Sequence, residues 1–81
     1  MRIKVRLFAR AKELAGTDFL VIEMKSAASI AELSRYLEKQ TPALSPLLKQ
    51  SAWAVNQEFA GLTTSLYDGA EVAILPPVSG G

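Results

Sequence analysis

The segment Ser29–Pro42, SIAELSRYLEKQTP, decides which fold this chain can adopt. Ser29 and Glu32 have the three-residue spacing of a capping box, in which each side chain accepts a hydrogen bond from the other residue's backbone N–H. The apolar side of the predicted helix follows the i, i+3, i+4, i+7 spacing: Ile30, Leu33, Ser34 and Leu37. Because Pro42 disfavours helical backbone in the preceding residue, we predict that the helix ends at Thr41 or just before it.

Two strands and a short helix are predicted before this segment. Residues 2–8 alternate apolar and basic side chains, as in a half-buried strand whose buried face carries Ile3, Val5 and Leu7. Phe8 has the parity of the opposite, basic face. Residues 9–16, ARAKELAG, favour a short helix that ends at Gly16. Residues 19–24, FLVIEM, predict a second strand, antiparallel to the first because the connection is short.

The second half of the chain predicts three further strands. Residues 42–50 read as a linker with a short helical turn at 46–49. Residues 52–60, AWAVNQEFA, predict a hairpin with its corner at Asn56 and Gln57. A turn at Asp68 and Gly69 precedes the last strand, Glu71–Leu75.

The order of these elements predicts an α+β domain, in which a mixed sheet of about five strands packs on one main helix with a second short helix. Because the main helix is long enough to connect parallel strands, the first and last strands are expected to be neighbours. That arrangement is the β-grasp, or ubiquitin-like, fold, with residues 1–75 as the domain and 76–81 as an extended tail. A sheet like that of RNA-recognition motifs is the alternative, but it needs two full crossover helices and exposed aromatic residues on its central strands.

The composition excludes several kinds of chemistry. The chain has 81 residues, no cysteine and no histidine, so disulfides, thiol nucleophiles, Cys/His metal sites and the commonest general base are absent. We expect no bound metal or cofactor, and a surface or tail rather than a deep cleft. No apolar run approaches the roughly 20 residues of a membrane span, and the first residues lack the features of a signal peptide. A cytoplasmic protein is therefore expected.

Basic residues are concentrated near the start of the chain although the net charge is only +1. The first dozen residues contain five of them and no acid: Arg2, Lys4, Arg6, Arg10 and Lys12. Such a stripe can contact phosphate, but it is more often the solvated face of an amphipathic strand, which is the interpretation we favour. Trp53 is expected in the core rather than as a stacking platform.

The last six residues, PPVSGG, form a separate chemical feature. Pro76 and Pro77 lack backbone N–H groups, so the sheet should stop at Leu75, and the tail can span about 20 Å. Gly80 and Gly81 make a narrow tip. The terminal carboxylate is a poor electrophile until it is activated, for example as an acyl-adenylate from ATP. A sulfur nucleophile would then yield a thiocarboxylate and an amine an isopeptide, and the tip allows both.

The chain resembles the MoaD family, the small subunits of molybdopterin synthase. The resemblance covers the whole chain and is carried by the capped central helix and three further segments: LFARAKELAG (7–16), AVNQE (54–58) and DGAEVAILPPVSGG (68–81). It implies a β-grasp fold and a C-terminal glycine that is adenylated and then converted to a thiocarboxylate. It also implies that the tail inserts into the large subunit and delivers sulfur to cyclic pyranopterin monophosphate.

The resemblance also implies roles for the tail and a set of partners. Gly81 would be the reactive residue, and the inserted segment would comprise Pro76, Pro77, Val78, Ser79 and Gly80. The expected partners are a large subunit (MoaE-like) in a heterotetramer, an E1-like adenylating enzyme (MoeB-like) that uses ATP, and a sulfurtransferase as the source of sulfur. The chain itself would be a sulfur-donor subunit that binds no cofactor, with the active-site residues on the large subunit.

A docking patch is predicted at the root of the tail. Phe8 and Leu75 share the outward parity of two strands expected to be adjacent, and exposed apolar patches often mark partner contacts. Phe59 and Leu62 would extend this patch. We refer to these four residues as the docking patch.

Three other functions fit parts of the sequence. The chain could carry sulfur for another product, such as the thiazole of thiamine, although such carriers are typically shorter and lack the PPVSGG arm. It could be a ubiquitin-like modifier joined to lysines through Gly81. A nucleic-acid-binding module would rest on the basic stripe alone and leaves the tail unexplained. The chain departs from the family pattern at two positions, Lys12 and Ala70. We expect these departures to affect only local salt bridges at the partner surface.

Overall fold

The computed structural model describes residues 1–76. The predictions made for Pro77, Val78, Ser79, Gly80 and Gly81 lie outside the described residues. The elements follow in this order: β1 Arg2–Leu7, α1 Ala9–Ala15, β2 Phe19–Glu23, α2 Ile30–Gln40, a 3-10 turn Pro42–Leu44, α3 Ser45–Gln50, β3 Ala52–Val55, β4 Glu58–Ala60 and β5 Glu71–Leu75.

The sheet has five strands in the order β2-β1-β5-β3-β4. The first and last strands of the chain are neighbours and run parallel, with Val5 opposite Val72 and Leu7 opposite Ile74. The other three pairings are antiparallel. A mixed sheet with parallel terminal strands connected through one long helix is the β-grasp topology, so the predicted fold class is confirmed and the alternative sheet is wrong.

Helix α2 begins and ends where its sequence predicts. The Glu32 backbone N–H donates to Ser29 Oγ at 3.3 Å, and the Ser29 backbone N–H donates to Glu32 Oε1 at 3.3 Å. The C-terminal cap is Thr41, whose N–H donates to the Leu37 carbonyl. These bonds satisfy backbone groups that a helix end otherwise leaves without partners.

The core lies between the inner face of the sheet and the helices. The inner-face residues of the central strands are buried and form one cluster with the apolar face of α2. The strands contribute Ile3, Val5, Leu7, Trp53, Val72 and Ile74, and the helix contributes Ile30, Leu33 and Leu37. The burial of Trp53 confirms its expected place in the core. Within residues 1–76 no helix covers the outer face of the sheet, which leaves that face available to a partner.

The segment between α2 and β3 is more regular than its sequence suggested. Residues 42–50 were predicted as a linker with one helical turn, but they form a 3-10 turn followed directly by α3. Leu44 and Leu48 are buried and join the core cluster. The spacing of these two leucines, one helical turn apart, was the missed signal, because two prolines in the segment suggested irregular backbone.

The capping box gives a prediction for the pH dependence of stability. The Lys25 ammonium, which contacts Glu32 at 3.2 Å, and the Ser29 backbone N–H lower the pKa of Glu32 below its ordinary value of 4.5. The unfolded chain therefore takes up a proton at Glu32 at higher pH than the folded one. The stabilisation is complete above about pH 4.5 and is lost as the pH falls through the lower, folded-state value.

We expect Glu32→Gln to be less stable than the unchanged chain at pH 7, and the difference to shrink as the pH is lowered below 4.5, since glutamine keeps the capping geometry without the charge. Urea unfolding across this pH range measures this difference. A stability gap that stays constant with pH would contradict the assignment.

Candidate functional site

A groove crosses the outer face of the sheet near the end of β5, where the tail begins. It has a volume of about 360 Å³ and is lined by Arg6, Phe8, Ala54, Gln57, Phe59, Glu71, Ala73 and Leu75. We call this feature the outer groove. Three of the four docking-patch residues are among its lining residues, so the structure brings Phe8, Leu75 and Phe59 together as predicted.

The exposure of the docking-patch residues is uneven. Phe59 is 83% exposed and Phe8 is 40% exposed, whereas Leu75 is partly buried. Leu62 is 53% exposed but lines a neighbouring depression, which shares Phe59 with the outer groove. The structure therefore places Leu62 beside the groove rather than in it.

The floor of the outer groove is formed by two alanines in central strands. Ala73 lies opposite Ala54, and the same row continues to Arg6 on one side and to Phe59 on the other. The row thus has large side chains at its ends and small ones in the middle, which produces the depression. Strand parity predicted Phe8 and Leu75 on this face, but the sequence did not predict the alanine floor or the place of Arg6 beside it, because both depend on the register between strands.

Phe8 is held on the outer face by the turn that connects β1 to α1. Its backbone is extended, with φ −127° and ψ 155°, and the next residue, Ala9, has φ 50°. This left-handed conformation costs a residue with a Cβ about 1 kcal/mol. The chain reverses there, so α1 packs Ala11 into the core while Phe8 stays outside.

The β3–β4 hairpin that carries Phe59 is anchored by Asn56. Asn56 and Gln57 both have positive φ, 47° and 72°, as a two-residue type I′ turn requires. The Asn56 side chain accepts a hydrogen bond from the Glu71 N–H at 2.9 Å and donates one to the Tyr67 hydroxyl. These bonds fix the hairpin to the start of β5, and so they position the Phe59 wall of the groove.

The basic stripe of β1 makes contacts within the chain. Arg2 pairs with Glu23 at 3.2 Å. The Lys4 ammonium lies 4.9 Å from the centre of the Phe19 ring, and the Arg6 guanidinium lies 5.9 Å from that of Phe8. Such contacts are typical cation–π geometry. They support the interpretation of the stripe as a strand face rather than a phosphate site.

The described part of the site can bind but offers little for catalysis. The polar side chains that line the outer groove are Arg6, Gln57 and Glu71, which do not make a nucleophile with a base. Residues 1–76 contain no cluster of three acidic residues able to hold a metal ion. No helix within the described range is long and apolar enough to cross a membrane. Of the tail, the structure describes only Pro76, which is exposed.

Comparisons with known proteins agree with this geometry. Residues 5–81 match the model of the ThiS family. The chain is 39% identical to the molybdopterin synthase sulfur carrier subunit of Chlamydomonas reinhardtii, with all of both chains covered. It resembles the crystal structure of SAMP1 from Haloferax volcanii, a small archaeal modifier protein, with a TM-score of 0.88, 28% identity and full coverage of both chains. It also matches a chain in the complex of subunits 1 and 2 of molybdopterin-converting factor from Helicobacter pylori, with a TM-score of 0.71, 32% identity and full coverage of both chains.

Proposed function

Because the chain belongs to the ThiS family, and within it to the molybdopterin synthase sulfur carrier subunits, we propose that it carries sulfur as a thiocarboxylate on Gly81. The observation that carries this proposal is the position of the outer groove. Phe8, Leu75 and Phe59 line an uncovered apolar surface at the end of β5, the strand that leads into the tail. A partner docked there is in place to receive a tail of about 20 Å.

The proposed chemistry needs only the terminal carboxyl group of this chain. The carboxylate of Gly81 attacks the α-phosphorus of ATP, which forms an acyl-adenylate and releases pyrophosphate. Hydrosulfide, HS⁻, then attacks the acyl carbon and displaces AMP, and loss of its proton leaves –C(O)S⁻. The thiocarboxylate sulfur then attacks a carbon of cyclic pyranopterin monophosphate and displaces an oxygen substituent there, which gives a thioester. Water attacks the acyl carbon of this thioester, which restores the carboxylate of Gly81 and leaves the sulfur on the pterin as a thiolate. Glycine at this position leaves the acyl carbon unhindered, because there is no Cβ.

The partners follow from this sequence of steps. An E1-like adenylating enzyme would supply the ATP site, a sulfurtransferase would supply sulfur, and a large synthase subunit would bind the pterin and hold the catalytic residues. The relative solved in complex with subunit 2 of molybdopterin-converting factor supports a partner of this last kind. A heterotetramer and a cytoplasmic location remain predictions.

Intact mass spectrometry tests the proposal. After co-expression with the adenylating enzyme and a sulfur source, we expect a mass gain equal to the exchange of one oxygen for one sulfur, lost on incubation with large subunit and pterin. If the mass is unchanged while both partners are active on a known carrier, the proposal is wrong.

A second candidate is a ubiquitin-like modifier joined to lysines through Gly81, and the similarity to SAMP1 favours it. In that case denaturing gels of cell extracts should show adducts larger than the chain, with peptides that carry a Gly-Gly remnant on lysine. A carrier for another product, such as a thiamine-type thiazole, would be loaded with sulfur but would not support molybdopterin formation with the large subunit.

Replacing Phe8 should separate docking from folding. We expect Phe8→Ala to weaken binding to the large subunit about tenfold or more, because aromatic anchors often dominate interfaces, while the free energy of unfolding changes little because this side chain is 40% exposed. Titration calorimetry and urea unfolding measure the two effects. Phe19→Ala is the matched control, since Phe19 is similarly exposed on the same face but lies outside the outer groove. Equal affinities for the two variants would remove Phe8 from the docking patch.

A further inference from the structure

We propose that the outer groove selects a partner surface that presents a bulky apolar side chain beside a carboxylate, the carboxylate pairing with Arg6. This inference rests on the proposed function, since it concerns the large-subunit partner at the same site. It adds two determinants that the docking patch does not contain, the alanine floor and the charge of Arg6.

The shape of the groove determines the size of the apolar side chain that a partner can insert. The row Arg6, Ala73, Ala54 and Phe59 crosses four strands, a width of about 14 Å at the usual strand spacing. The groove has a volume of about 360 Å³. Small residues at two facing central positions leave room for a large side chain. Such a side chain would contact Phe59 at one end of the row, and Phe8 and Leu75 on the side where the tail begins.

The charge of Arg6 determines which polar group the partner surface must present. Within residues 1–76 no carboxylate lies within ion-pair distance of Arg6, whereas Arg2 pairs with Glu23 and Arg10 with Glu13. The ring of Phe8 holds the Arg6 guanidinium at the rim of the groove. A partner that covers the groove removes water from this cation, and a desolvated charge without a counter-charge is costly. The covering surface must therefore supply an acceptor, and a carboxylate matches a guanidinium best.

Glu71, at the other side of the groove, does not meet this need within the chain. It lies opposite Lys4 in the register of β1 and β5, and the pair of Val5 and Val72 separates it from the pair that contains Arg6. A second copy of this chain could present Glu71 to Arg6, so a second copy is the competing occupant of the groove. Charge-reversed variants of Arg6 and Glu71 distinguish it from the large subunit.

The experiment titrates the unloaded full-length chain with the large synthase subunit encoded in the same genome, using calorimetry at two salt concentrations. Ala73→Leu fills the floor and should weaken binding about tenfold or more. Arg6→Gln should weaken it about threefold to tenfold and reduce its salt dependence, since a charge pair is screened by salt. Val21→Leu and Arg2→Gln are the matched controls, because both residues lie on the outer face but do not line the groove; their affinities should stay within about twofold.

Phe59→Ala gives a further variant should Ala73→Leu unfold, because Phe59 is 83% exposed and contributes little to the core. Unchanged affinity for Phe59→Ala and Arg6→Gln overturns this inference and leaves the proposed function standing. Absence of binding by the unchanged chain overturns both. If the carrier alone instead forms a dimer through the groove, Arg6→Glu should disrupt the dimer and the double variant Arg6→Glu/Glu71→Arg should restore it. That result would identify a second copy as the occupant of the groove, and it too overturns the inference.

Discussion

Deleting Gly81 is expected to abolish sulfur loading and molybdopterin formation while leaving the thermal unfolding temperature unchanged. The deletion moves the terminal carboxyl group to Gly80 and shortens the arm by about 3.3 Å, so the group should no longer reach the position where a partner activates it. Stability should not respond, because the core consists of residues between Ile3 and Ile74. Intact mass spectrometry measures loading, and calorimetric unfolding measures stability.

The matched control for this deletion is Gly61→Ala. Gly61 is a glycine within the described residues, and an added Cβ there would meet no atom within 4 Å. We expect this variant to be loaded as fast as the unchanged chain. One residue fused after Gly81 should block loading as the deletion does. If either tail variant supports cofactor assembly at full rate without trimming, the terminal carboxyl group is not the working group.

Replacing Leu33 with alanine is expected to have the opposite effect. The free energy of unfolding should fall strongly, whereas the molecules that remain folded should still be loaded with sulfur at the tail. Leu33 is fully buried on the apolar face of α2. Truncations of this kind cost about 2–5 kcal/mol, and a domain of this length is stable by about 4–12 kcal/mol. We therefore expect the unfolding temperature to fall by about 10 °C or more.

Arg35→Ala on the exposed side of α2 is the control for Leu33→Ala and should change the free energy of unfolding by about 0.5 kcal/mol or less. Urea unfolding compares the two variants. If the Leu33→Ala and Arg35→Ala chains are equally stable, the apolar face of α2 does not pack into the core as described.

The parts of the fold that the sequence predicted correctly have local physical causes. The capping box between Ser29 and Glu32 needs only a spacing of three residues, and the buried face of β1 needs only alternation. The positive φ values at Asn56 and Gly69 follow from residue types that tolerate them. Each of these features can be evaluated within a few residues of chain.

The features that the sequence did not predict depend on contacts between distant segments. The helical segment around Leu44 and Leu48 forms because these two side chains pack onto a core that other segments provide. Ala73 and Ala54 make a groove floor only once β1, β5 and β3 are placed in register. Ala70 was expected at the partner surface, but it is fully buried beneath the turn that leads into β5, so that expectation was wrong. A small side chain there fits the core rather than a salt bridge.

The parallel pairing of the terminal strands has a mechanical consequence. β5 is bonded to β1 on one side and to β3 on the other, and the tail continues from its carboxyl end. A pull on the tail, while the rest of the domain is held, loads both ladders along their length, so their hydrogen bonds share the force instead of opening one after another. A partner that pulls on the tail would therefore pull on a strand that two neighbouring strands hold in place, so the fold should resist force applied at this end.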